Sequence, residues 1–223
     1  MQINGMNARN LIVKICGLST PESLEAAISA RADMAGFVFF APSPRNISFE
    51  RARDLGAQAH GRVTKVALTV DADDVTFEQI VATLKPDLLQ LHGKETPARA
   101  AELSRRFSLP VMKAIGISAA ADLAAIAAYE SVVDRVLFDA KPPKGAVLPG
   151  GNGQAFDWTI LRDVQTEKPW MLSGGLDADN VAEAIRITGA RGVDVSSGVE
   201  SAPGVKDPRR IAAFVAAARG AAA

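Results

Sequence analysis

One cysteine occurs in the chain, Cys16 in Lys14-Ile15-Cys16-Gly17, two residues beyond a lysine. In an extended segment Lys14 and Cys16 share a side. A thiol ionises near pH 8.5, so a neighbouring cation that lowers that value modestly supplies thiolate at neutral pH. Cys16 is therefore a candidate base, beside the alternative of a small buried hydrophobe, and the glycine after it leaves room for a substrate. Asp139 follows Val136-Leu137-Phe138, where apolar surroundings raise a carboxyl toward the general-acid role. Its alternative is a carboxylate paired with Lys141 or capping a turn. Arg45, on the proline-stiffened stretch Ala41-Pro42-Ser43-Pro44-Arg45-Asn46-Ile47, suits a planar carboxylate in bidentate fashion; its alternative is an ordinary surface ion pair. Ser173-Gly174-Gly175 and Ser196-Ser197-Gly198 leave backbone N–H groups open to a ligand. Gly174, Gly175, Ser197 and Gly198 are thus candidate phosphate ligands, against the reading that the glycines merely make tight turns.

A thiol and an acid acting on two ends of a small molecule suit proton transfer and isomerisation better than hydrolysis. No Ser-His-Asp set is legible. With two histidines, His60 and His92, a metal site has little support, and none is expected. Lys113 is weighed as a Schiff-base lysine and read instead as a barrel-core lysine paired with a carboxylate.

These residues must be positioned by something. Short apolar, β-branched runs at 11–15, 35–39, 63–70, 88–91, 110–114, 135–138, 169–172 and 192–195 alternate with helical stretches at 21–30, 49–59, 76–84, 96–107, 119–129, 157–164, 179–188 and 208–218. Strict alternation predicts a parallel sheet covered on both faces. Eight units in about 210 residues close naturally into a single (β/α)8 TIM barrel of the α/β class. A doubly wound open sheet is disfavoured, because no Gly-x-Gly-x-x-Gly follows the first strand. Ser19-Thr20-Pro21-Glu22 and Asp207-Pro208 mark helix starts, and Gly56, Gly61 and Gly189 mark stops. Residues 11–219 form one domain behind a loose, polar extension over residues 1–10, within which Met6 offers an alternative start. The one long excursion lies between residues 138 and 157, where Lys141-Pro142-Pro143-Lys144-Gly145 and Gly150-Gly151-Asn152-Gly153 suggest a lid or ligand loop. In such a barrel the reactive groups at the C-terminal strand ends are Lys14, Cys16, Arg45, Asp71, Gln90, His92, Lys113, Asp139, Lys141, Ser173 and Asp194.

The formal charge balances, with Lys+Arg and Asp+Glu at 25 each. No bulk field recruits nucleic acid or an anionic membrane, so an anionic ligand must be held by local geometry. No apolar run approaches the roughly 18 residues of a bilayer span, and residues 1–10 lack the apolar core of a signal peptide. A lone cysteine fits a reducing cytoplasm.

Val13-Lys14-Ile15-Cys16-Gly17-Leu18, Gly36-Phe37-Val38-Phe39, Ser43-Pro44-Arg45, Leu89-Gln90-Leu91-His92-Gly93, Leu137-Phe138-Asp139, Phe156-Asp157-Trp158, Leu172-Ser173-Gly174-Gly175-Leu176 and the run from Gly192 to Glu200 resemble, in order, the motifs of the phosphoribosylanthranilate isomerase family. The resemblance implies the Amadori rearrangement of N-(5-phosphoribosyl)anthranilate to 1-(2-carboxyphenylamino)-1-deoxyribulose 5-phosphate, an aldose–ketose isomerisation in tryptophan biosynthesis. It implies Asp139 as the acid that opens the ribose ring and Cys16 as the base that takes the C2′ proton. Arg45 would hold the anthranilate carboxylate, and the loops after strands 7 and 8 the phosphate. No cofactor is implied, and the assembly is a monomer or homodimer. One departure is Asn152, where the family commonly has threonine. His92 and Asp194 belong to matching motifs without an assigned chemistry. The rivals are the histidine-pathway sugar-phosphate isomerase, which uses carboxylates as both acid and base, and a phosphate-binding barrel without catalysis.

Overall fold

The computed structural model describes residues 11–142, 145, 148, 150, 151, 153 and 155–222. The expected N-terminal extension over residues 1–10 lies outside them, as do Pro143, Lys144 and Asn152 of the long excursion.

Eight parallel strands pair in chain order and the last returns to the first, closing a barrel: β1 (Ile12–Cys16), β2 (Met34–Phe39), β3 (Thr64–Thr69), β4 (Leu88–Leu91), β5 (Val111–Ile117), β6 (Arg135–Ala140), β7 (Trp170–Leu172) and β8 (Gly192–Val195). Around it run α1 (Pro21–Ser29), α2 (Phe49–Ala59), α3 (Asp74–Leu84), α4 (Pro97–Phe107), α5 (Ile126–Tyr129), α6 (Val181–Thr188) and α7 (Pro208–Ala222). Two short strands unforeseen from the sequence, β9 (Glu200–Ala202) and β10 (Val205–Lys206), form an antiparallel hairpin after β8.

Local signals set the helix starts. The Thr20 hydroxyl accepts from the Ser23 N–H at 3.1 Å, and Pro21 follows at the first helical position, where its missing N–H costs nothing. Ser48, Asp73 and Thr96 cap α2, α3 and α4 in the same way. Gly189 ends α6 at φ +67°, but Gly56 is no stop. It lies inside α2, where a Cβ would meet the Leu84 carbonyl oxygen at 2.6 Å, so it lets two helices approach closely.

Two expected helices shrink. Over 119–129 the chain forms a 3-10 turn (Ala120–Ala125) and then the four-residue α5. Over 157–164 only a 3-10 turn, Trp158–Leu161, appears. Alanine favours helix, yet the first 3-10 turn buries no residue and α5 buries only Ile126. Helices in folded domains are stabilised mainly by an apolar face, and these stretches have almost none.

Phe37, Phe77, Phe138 and Phe214 are fully buried in the layer between barrel and helices; each such ring contributes roughly 1.5–3 kcal/mol. Inside the barrel, Met34, Val66, Leu88, Met112, Leu137 and Met171 pack at one level, and Cys16, Val38 and Leu68 at another. Register aligns Lys14 with Asp194, Cys16 with Gly36 and Gly116 with Asp139. Because alternate side chains share a face, the strands that bury Leu137 inside the barrel also place Asp139 there, nearer the C-terminal mouth.

Candidate active site

A cleft of about 770 Å³ opens at the C-terminal ends of the strands, with Cys16, Arg45, His92, Asp139, Ser173 and Asp194 in its wall. Gly174, Gly175 and Ser197 line it too.

Cys16 ends β1 and is buried. Gly36 on the adjacent strand makes room, since a Cβ there would stand 2.9 Å from Sγ. Beneath the thiol, Lys14 is fully buried and donates from Nζ to Asp194 Oδ1 at 2.9 Å. Burial works against the ammonium, but the charges of Asp194 and Cys16 outweigh it and hold the Lys14 pKa above its ordinary value. For Cys16 the balance differs from the expected lowering. Burial pushes the thiol up, Lys14 pulls it down, Asp194 pushes it up again, Lys206 pulls down, and the net direction is upward. The expected cation is in place, but burial outweighs it and its own carboxylate partner blunts it further.

Gly17 departs from expectation as well. Its φ is +78°, and a Cβ would meet Arg45 Cδ at 2.6 Å. The space beside it is filled by the arginine stem and not kept for a substrate.

Asp139 sits near the C-terminal end of β6, buried, with Oδ1 accepting from the Ala140 N–H at 2.9 Å and Oδ2 3.1 Å from His92 Nε2. Gln90 Nε2 stands 3.3 Å from His92 Nδ1. The Gln90 amide and the Asp139 carboxyl thus flank the imidazole on its two nitrogens. His92, unassigned on sequence, is thus the side chain that stands against Asp139 in the cleft. Lys141 is not its partner; that ammonium reaches Asp122 at 3.0 Å. Lys113 pairs with Glu95 at 2.9 Å and donates to the Gly93 carbonyl, as a structural lysine does.

Arg45 is buried, and its fork already has an internal partner. Nε donates to Glu200 Oε1 at 2.7 Å and Nη2 to Oε2 at 2.9 Å, with Nη2 also 3.3 Å from the Gly151 carbonyl. The bidentate pairing expected for a ligand is made with Glu200, while Nη1 has no hydrogen-bond partner among the described residues. Lys206 donates to the same Glu200 Oε1 at 2.7 Å and to the Ser196 carbonyl at 2.9 Å. Burial tends to raise the Glu200 carboxyl, but Arg45 and Lys206 outweigh it and hold it below its ordinary value. Burial lowers Lys206 on balance, despite Glu200.

The loop after β7 turns at Gly174 (φ +88°), where a Cβ would meet the Ala140 N at 2.6 Å, and no described acceptor takes the N–H of Gly174 or Gly175. Ser197 and Gly198 open a 3-10 turn (Ser197–Val199), whose first N–H groups lack partners within the turn. Gly198 lies behind the cleft wall, and a Cβ there would meet the Leu176 carbonyl at 2.0 Å. The two loops therefore pack backbone against backbone. Across the cleft, Val38, Phe40, Leu68 and Val70 form an apolar wall.

Of the sequence candidates, Cys16, Arg45, His92, Asp139, Lys141, Ser173, Gly174, Gly175, Asp194 and Ser197 line one cleft, whereas Lys14, Asp71, Gln90, Lys113 and Gly198 do not. Missed were Glu200, Lys206 and the apolar wall. The wall was readable in principle as the inward positions of β2 and β3, and Glu200 closes a quoted motif; Lys206 carries no local signal.

A family model described as N-(5'phosphoribosyl)anthranilate (PRA) isomerase matches residues 13–217. N-(5'-phosphoribosyl)anthranilate isomerase from Bradyrhizobium sp. (strain ORS 278) is 62% identical over 212 residues, covering 95% of this chain and 97% of the relative. Among solved structures, phosphoribosyl anthranilate isomerase in complex with reduced 1-(o-carboxyphenylamino)-1-deoxyribulose 5-phosphate superposes with a TM-score of 0.81 at 31% identity, covering 94% of this chain and 99% of that one. A structure of monomers generated from the dimeric enzyme of Thermotoga maritima gives 0.80 at 32% identity, with the same coverage.

Proposed function

The chain belongs to the N-(5'-phosphoribosyl)anthranilate isomerase family, and from that premise we propose how its cleft carries the reaction. The activity is the aldose–ketose isomerisation of N-(5-phosphoribosyl)anthranilate in tryptophan biosynthesis. Family membership removes the histidine-pathway isomerase as a rival. The observation that carries the assignment of roles is that Cys16 and Asp139, with β7 and β8 between their strands around the closed barrel, line one cleft.

Asp139, held by His92, donates a proton to the ribose ring oxygen. The C1′–O bond breaks, the nitrogen lone pair forms a protonated imine at C1′, and Asp139 is left as a carboxylate. Cys16 as thiolate takes the C2′ proton, and the electrons of that C–H bond flow into the iminium to give an enolamine. Return of a proton to C1′ and loss of the enol proton complete the ketone, so atoms and charge balance. The iminium is the electron sink, and no cofactor is required. Its positive charge also opposes the burial that holds the thiol up, so thiolate becomes more accessible at the stage that needs it.

Arg45 Nη1 receives the anthranilate carboxylate, the Val38–Leu68–Val70 wall takes the ring, and the amides of Gly174, Gly175, Ser197 and Gly198 take the phosphate. The reading is tested by the fluorescence decay of phosphoribosylanthranilate with the purified chain. Wild-type turnover is expected, with loss in Cys16→Ala and Asp139→Asn; wild-type rates in both variants overturn the roles. No helix among the described residues is long and apolar enough to cross a membrane, and we place the enzyme in the cytoplasm, as a monomer or homodimer, which sedimentation resolves.

A further inference from the structure

The hairpin after β8 has no part in closing the barrel, yet it carries two buried charged residues into the site. Glu200 begins β9 and Lys206 ends β10, and both side chains are almost wholly enclosed. Every strong acceptor position of the Glu200 carboxylate is used. Oε1 takes Arg45 Nε and Lys206 Nζ, each at 2.7 Å, and Oε2 takes Arg45 Nη2 at 2.9 Å and the Gly204 N–H at 3.2 Å.

Arg45 is restrained at two further places. Its stem lies against Gly17, where a Cβ would meet Cδ at 2.6 Å. Its loop abuts the hairpin turn, where Gly204 at φ +81° is so close to Pro44 that a Cβ would stand 2.5 Å from the carbonyl oxygen. An arginine with these restraints cannot swing to meet a ligand; its plane is set beforehand. Preorganisation of that kind improves recognition by removing the ordering cost at binding. With the Nε–Nη2 edge taken, Nη1 is what remains for the cleft. Two cations also share one carboxylate, so the trio keeps an excess of positive charge that an incoming anion would neutralise.

We infer that Glu200, held by Lys206 on the β9–β10 hairpin, is a positioning residue for Arg45 and thereby for the carboxylate of the substrate. This rests on the reading that Arg45 takes that carboxylate. Lys206 extends the arrangement: it donates to Ser196 Oγ at 3.2 Å, and that hydroxyl donates to the Cys16 carbonyl at 3.1 Å. The hairpin thereby links the arginine to the strand end that bears the base.

The experiment compares N-(5-phosphoribosyl)anthranilate with the aniline analogue that lacks the carboxylate, in wild type, Arg45→Ala, Glu200→Gln and Lys206→Met. For the natural substrate, Glu200→Gln is expected to raise KM about 10- to 100-fold, the range for a lost hydrogen bond between charged groups, with kcat close to wild type. For the aniline analogue the same variant should match wild type. Lys206→Met should show the same selectivity with a smaller rise in KM. Equal losses on both substrates in Glu200→Gln, together with a carboxylate-selective loss in Arg45→Ala, overturn the inference alone and leave Glu200 a structural residue. Equal losses on both substrates in Arg45→Ala overturn the carboxylate reading and the inference with it. If Glu200→Gln does not fold, Glu200→Asp, which keeps the charge but is too short to span Nε and Nη2, gives the same readout.

Discussion

The two groups proposed to react, Cys16 as base and Asp139 as acid, are prepared in opposite ways. Around Cys16 the site is built from buried charge: Lys14 and Asp194 form an ion pair below the thiol, with Lys206 contributing from the hairpin. Around Asp139 it is built from short directed contacts, the Ala140 N–H on one oxygen and His92, backed by Gln90, 3.1 Å from the other. Charges act over several ångströms through a poorly screened interior, so the base side tunes a protonation equilibrium. Short contacts at fixed positions orient a group, so the proposed acid side aims a proton. A base must be selected by its charge state, whereas an acid must be pointed at one oxygen.

The sharpest way to break this contrast is to remove the groups themselves. Cys16→Ser and Asp139→Asn should each lower kcat by about 10² to 10⁴, the range for a lost acid or base, while calorimetric binding of a reduced product analogue changes little. Serine keeps the size but not the acidity, so activity in Cys16→Ser would count against a thiolate base.

The next largest effects come from the ion pair. In Lys14→Met the thiol loses its main cation and keeps Asp194, so its pKa rises further. The pH midpoint of iodoacetamide alkylation should move up, and kcat/KM near neutrality should fall about tenfold for each unit of that rise. Asp194→Asn should move the midpoint down, because the carboxylate that opposes the thiolate is gone. It should also destabilise the fold by about 3–5 kcal/mol, since Lys14 is left buried without its partner. Midpoints moving the same way in both variants would show that the pair acts only through structure.

On the acid side, His92→Ala should lower kcat about tenfold with little change in KM, as expected when one orienting polar contact is lost. An unchanged alkylation midpoint for Cys16 in that variant would keep the two sides separate; a moved midpoint would join them.

The smallest effect concerns the outer edge of the acid side. Lys141 and the N–H groups of Ser118 and Ala119 hold the Asp122 carboxyl far below its ordinary value. A depressed carboxylate stabilises the fold above its unfolded pKa, near 3.9, and that contribution fades as pH falls through the lower folded value. Asp122→Asn should therefore reduce stability at neutral pH and flatten the acid limb of denaturation, with kcat untouched.

Much of this was legible beforehand because it depends on local pattern. The period of the apolar runs marked β1 to β8, with bounds exact for β4 and β8 and one to three residues off at most elsewhere. Strand alternation placed Lys14 beside Cys16. The shortened helices escaped because alanine carries propensity without an apolar face. Lys206 escaped because only the hairpin brings it back to Glu200, and nothing within its own neighbours records that return.

By itself the sequence determined the barrel, the strand ends bearing Cys16 and Asp139, the glycine-rich loops after β7 and β8, and, through its motifs, the family. Periodicity and turn chemistry act over a few residues, and a linear string holds them in full. The tertiary structure alone decided which charges meet: Asp194 with Lys14 across 180 positions, Glu200 with Arg45 across 155, and His92 with Asp139. Charge balance depends on burial and distance in space, and barrel closure sets both only when β8 meets β1.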